Sequence, residues 1–145
     1  MNRESLKIET RAAFRHVAKP ELAAIATHAC AECDELRASL HPYHSDDVPA
    51  EVIDKHRWDL PLLSDEAKQY YLPAWIVRSI DDPQSDYTEA LLYALDSGHG
   101  WFPAAPYSER QWRLIEAYLG FLEANVDEIT LETVAKVKAR LKNEP

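Results

Sequence analysis

Ser108-Glu-Arg-Gln-Trp-Arg-Leu-Ile-Glu-Ala-Tyr-Leu-Gly-Phe-Leu122 decides how the chain is to be read. Ser108 and Gln111 stand at the spacing of a capping box, in which a serine hydroxyl and a glutamine amide satisfy free backbone donors reciprocally. Trp112, Ile115, Tyr118, Leu119 and Leu122 then recur at three- and four-residue steps, the apolar face of a helix. Tight β-turns need residues that tolerate positive φ, and the chain has only three glycines, Gly98, Gly100 and Gly120. The fold expected is all-α: a single irregular bundle of six or seven short helices, one helical domain over residues 1–145.

Flanking segments repeat the pattern. Residues 4 to 18 read as a helix with Leu6, Ala13, Phe14 and Val17 inward and Arg3, Lys7, Arg11 and Arg15 along another face. That basic stripe is expected to be solvated, or else to dock an acidic partner or the chain's own acidic region. From Pro20 to Leu40 the stripe Leu22, Ile25, Ala29, Cys33, Leu36, Leu40 predicts one long helix, stopped by His41-Pro42. A loop spans 41 to 50, a short helix begins near Pro49, and Asp59 to Leu63 reads as a single turn. Ser64 caps a helix bearing Tyr70, Tyr71, Ala74, Trp75 and Ile80, which Pro73 must kink or divide. Residues 86 to 97 form another helix stopped at Gly98, and Thr130 is expected to cap a last one with Leu131, Val134, Val137 and Leu141 inward.

The 145 residues carry a formal charge of −9. Residues 30 to 66 hold ten acidic side chains against three basic ones, and residues 81 to 100 hold five with no Lys or Arg. Such a field repels phosphate backbones, so nucleic acid is not expected as a partner and a basic protein is. No apolar run approaches the ~20 residues of a membrane span. The first residues lack the apolar core of a secretory signal. Only Cys30 and Cys33 offer sulfur chemistry, so a reduced cytoplasmic protein is the expectation.

Two groupings could carry chemistry. Cys30-x-x-Cys33 with His41-x-x-His44 has the residue types of a zinc site, but seven residues between the pairs leave no room to fold back. On a continuous helix the two cysteines would lie near its middle, where they are inert rather than redox-active. The second grouping is Gly98 to Ser108, where His99, Trp101, Phe102 and Tyr107 gather in a proline-bearing loop. These are the candidate binding residues, the alternative being aromatic plugs for the bundle. Neither a phosphate-binding glycine loop nor a nucleophile turn is present, so no cofactor and no catalytic residue is assigned.

Leu63-Ser64-x-Glu66-Ala67-x-x-Tyr70-Tyr71-Leu72-Pro73-Ala74, Leu91-Leu92-x-x-Leu95 and Ser108-x-x-Gln111 leading into Leu119-x-x-Leu122 resemble an uncharacterised bacterial family of small all-helical domains. The resemblance covers about residues 58 to 124. It implies an all-helical fold with a capped final helix and brings no activity with it. The function expected is a non-enzymatic protein–protein interaction module with an acidic surface, immunity-like or adaptor-like, with a homodimer as a further arrangement. The alternative is a small-molecule or metal-dependent enzyme using His99 or the His41/His44 loop.

Overall fold

A computed structural model describes residues 2–96 and 107–143. Among the described residues seven α-helices follow one another: α1 (Arg3–Phe14), α2 (Ala31–Leu40), α3 (Ala50–Lys55), α4 (Asp65–Asp81), α5 (Asp86–Leu95), α6 (Glu109–Glu123) and α7 (Glu128–Asn143). Single 3-10 turns lie at Leu22–Ala24 and Leu60–Leu62. The described residues contain no strand, only an isolated antiparallel bridge between Ala26 and Leu63.

Helix α4 is the central element, packed against α1, α3 and α5, while α6 bridges α1 and α7. Its sequence explains the position. Tyr70, Tyr71, Leu72, Trp75, Ile76 and Ile80 are buried around most of its circumference, as a core helix requires. Each large apolar side chain so buried contributes about 1.5–3 kcal/mol. Ser64 starts the helix by accepting from the Ala67 amide at 3.0 Å, as its sequence position predicts. The helix is continuous through the buried Pro73, so the proline does not divide it.

Three hydroxyls fasten the centre. Ser79 of α4 lies 2.6 Å from Thr88 of α5 and 2.6 Å from Tyr118 of α6, and all three are buried. Gln111 does two jobs. It closes the predicted box with Ser108, and it reaches the Ala13 carbonyl at 3.2 Å and Gln69 at 2.9 Å. The cap of α6 is thereby tied to α1 and α4.

The long helix expected from Pro20 to Leu40 does not form. The Ser64 hydroxyl donates to the Ala24 carbonyl and the Ser64 amide to Ile25 at 2.9 Å. Arg37 donates to the Ala26 carbonyl at 3.0 Å and to that of His28. Carbonyls that would have accepted from the next helical turn are taken by a residue about forty positions away and by a guanidinium. The chain therefore breaks after Ile25, and α2 begins only at Ala31.

Two smaller expectations also change. Helix α7 is capped by Asp127, whose carboxylate accepts from the Thr130 amide at 2.8 Å, so Thr130 lies inside the first turn. Leu131 is exposed, while Val134 and Val137 are buried as expected. The basic stripe of α1 is not simply solvated. Lys7 meets Asp81 at 2.7 Å, and the Arg3 guanidinium lies 5.7 Å from the centre of the Phe121 ring. Asp81 of the chain's own acidic segment receives Lys7, while Arg3 and Arg15 are exposed, so the stripe is in part solvated and in part docked within the chain.

Candidate functional site

Asp86, Glu89, Tyr93 and Asp96 follow at three-, four- and three-residue steps, so they share the outer face of α5 and the turn beyond it. Tyr93 is 47% exposed at the centre of this acidic row. Trp58, 50% exposed, comes from the segment after α3 and meets Tyr93 edge-on at 6.2 Å between ring centres. Ile129 from the first turn of α7 is 80% exposed. With Leu92, Glu89 and Asp96 these residues line a cleft of about 290 Å³. Asp96 also pairs with Arg140 at 3.0 Å, and Asp86 with Arg57. Large apolar side chains grouped in water are costly unless a second surface covers them. Sequence reading found the acidic run but not the aromatic pair, because Trp58 and Tyr93 are joined only by the fold.

A second, smaller cleft of about 150 Å³ lies between α1, α3 and α4, with Arg11, Asp46, Arg78 and Asp81 on its walls. Its charges are largely used within the protein. Arg78 forms two bonds of 3.0 Å with the Asp54 carboxylate and stacks over Tyr87, with its guanidinium 4.4 Å from the ring centre. Its hydrogen bonds to the Asp54 carboxylate hold the guanidinium above its ordinary pKa. Asp81 is the partner of Lys7.

Of the loop candidates, His99, Trp101 and Phe102 lie outside the described residues. Tyr107 is buried, with edge contacts to Trp112 at 5.1 Å and Phe14 at 6.3 Å. It serves as a plug between α1 and α6. The metal candidates separate to opposite ends of α2: Cys30 and Cys33 open the helix, His41 closes it, and His44 follows in the loop against Tyr70. Among the described residues no group of three or more His, Cys, Asp or Glu side chains gathers as a metal site would.

The cysteines are not mid-helical. Cys30 is the N-cap of α2 and is exposed, and its sulfur accepts from the Cys33 amide at 3.4 Å. Cys33 is fully buried. Burial, and then the neighbouring Cys30 thiol, push the Cys33 thiol above its ordinary pKa, against the pull of the His28 amide and Arg37.

One further constellation escaped sequence reading. His56 is buried between Ser39, 3.0 Å from its Nε2, and Asp59, 2.8 Å from its Nδ1. The contacts join α2 to the end of α3. Only the three-residue step from His56 to Asp59 is visible in the sequence. The clefts described above are not lined by any of the three.

Among the described residues no helix is long and apolar enough to cross a membrane. Comparison with protein-family models, with curated proteins and with solved structures finds no match to this chain. The fold defines an all-α helical bundle.

Proposed function

We propose that this chain is a non-enzymatic protein–protein interaction module of the bacterial cytoplasm, adaptor-like or immunity-like, whose acidic Trp58–Tyr93 face receives a basic partner. The observation that carries this reading is the cleft itself. An edge-packed Trp and Tyr and a nearly bare Ile129 stand beside Glu89 and the acidic row of α5. Exposed aromatics are the usual anchors of binding energy, and rim charges select the partner and speed its approach. The complementary ligand is a protein segment with an apolar side chain flanked by Lys or Arg. Across residues 58 to 124, the family resemblance is part of the same proposal.

The test is affinity capture from host lysate with the wild type, Trp58→Ala, Glu89→Lys, and Leu22→Ala as a control away from the face. A basic protein retained in stoichiometric amount, lost with Trp58→Ala and Glu89→Lys, kept with Leu22→Ala and weakened by salt, is the expected result. A retained protein indifferent to Trp58 would refute it. So would sedimentation showing a dimer of this chain that Trp58→Ala dissolves, since a second copy would then be the occupant.

A second reading has one observation in its favour. The order Ser39, His56, Asp59 is that of a serine nucleophile, its base and an orienting carboxylate. Labelling of Ser39 by a fluorophosphonate, abolished in His56→Ala, would support acyl-transfer chemistry. An unlabelled Ser39 in the folded protein leaves the three as a buried brace.

A further inference from the structure

Cys30 and Cys33 occupy a geometry that the sequence alone did not suggest. Because the chain breaks before α2, Cys30 sits at the helix start, extended (φ −145°, ψ 164°) and open to solvent. One turn further on, Cys33 is buried and donates its amide to the Cys30 sulfur at 3.4 Å. The preceding loop is held in place by Arg37, which binds the carbonyls of Ala26 and His28. An accessible sulfur at the cap, followed three residues later by a buried one in the first helical turn, is the arrangement that suits dithiol exchange.

From this geometry we propose that Cys30 and Cys33 form a dithiol–disulfide exchange site whose substrate is a small disulfide. The Cys30 thiolate attacks one sulfur of the disulfide R–S–S–R, giving a mixed disulfide on Cys30 and releasing R–S⁻. The Cys33 thiolate then attacks the Cys30 sulfur, closing the Cys30–Cys33 bond and expelling the second R–S⁻. The two cysteines give up two electrons in total, and their two protons leave with the released thiols as 2 R–SH. The bond closes a very short loop, so it adds little as a structural staple, and a reversible role suits it better. Neither cysteine lines the Trp58–Tyr93 cleft.

Cystamine is the probe, because Glu32 and Asp34 in the same turn would repel an anionic disulfide. The full-length protein is treated at mildly alkaline pH, quenched with acid, and followed by intact mass and peptide mapping. The wild type should finish as the intramolecular Cys30–Cys33 disulfide with no adduct left, keep its helical circular dichroism, and return to two thiols with dithiothreitol. Cys33→Ser should stop at a cystamine adduct on Cys30, and Cys30→Ser should react at least about tenfold more slowly than Cys33→Ser. Lasting adducts on both wild-type cysteines, a disulfide between two copies, or oxidation only after the helical signal is lost would overturn the assignment. The wild-type course decides the matter even if a serine variant does not fold.

Discussion

Ser79→Ala tests how the three central helices are held. Ser79 is the middle of a buried chain of hydroxyls, 2.6 Å from Thr88 on one side and 2.6 Å from Tyr118 on the other. Removing an end group, by Tyr118→Phe or Thr88→Val, deletes one hydrogen bond and leaves Ser79 with its other partner. A net loss of about 0.5–1.5 kcal/mol is expected for each. Removing the middle deletes two bonds and leaves two buried hydroxyls facing an alanine methyl. At roughly 1–3 kcal/mol for each orphaned group, Ser79→Ala should cost about 2–6 kcal/mol, more than Tyr118→Phe although each removes a single oxygen. The combined Ser79→Ala, Thr88→Val, Tyr118→Phe protein has no orphan and should recover at least about 1 kcal/mol relative to the sum of the single losses. Urea unfolding followed by circular dichroism at pH 7 measures all of these. Strictly additive losses, or a Ser79→Ala protein no weaker than Tyr118→Phe, would refute the chain of bonds.

Two more outcomes follow from ionisable groups. Burial raises the Tyr71 and Tyr118 phenols above their ordinary pKa of 10.0, outweighing the bond between Tyr118 and Ser79. The folded state therefore keeps these protons while the unfolded chain gives them up, so the stability they confer is complete below pH 10 and is lost as the pH rises beyond it. Ultraviolet titration should show both phenols ionising only together with alkaline unfolding, and ionisation at ordinary tyrosine pH with the fold intact would contradict this. Asp127 shows the opposite sign: the Thr130 amide and then its hydroxyl hold its carboxyl below the ordinary value. Its contribution is complete above the unfolded pKa and disappears as the pH falls through the folded one. At neutral pH Asp127→Ala should destabilise more than Thr130→Ala, with the difference closing in acid; thermal melts at both pH values check the order.

The helix starts at Ser64 and Ser108 and the cap of Gln111 were readable in advance, because capping is settled within four residues of chain. So was the burial of Tyr70, Tyr71 and Trp75, from their spacing and from the serine cap ahead of them. At the far end of the chain Thr130 was the expected cap, but Asp127, three residues earlier, supplies it. The candidate binding loop was legible only as composition. Its one described aromatic, Tyr107, turned inward because Phe14 and Trp112 offer it a dry pocket.

By itself the sequence determined an all-helical chain, the caps of α4 and α6, most of its core and its acidic bias, since each depends on periodicity or on near neighbours. Tertiary structure alone decided where the stripe from Pro20 to Leu40 breaks, because Ser64 and Arg37 take carbonyls that local order would have used. That break moved Cys30 to a helix start, and the packing of α5 and α7 brought Trp58, Tyr93 and Ile129 to one cleft. Competition for a backbone acceptor, or the meeting of side chains from three segments, depends on distances in space that spacing along the chain does not encode.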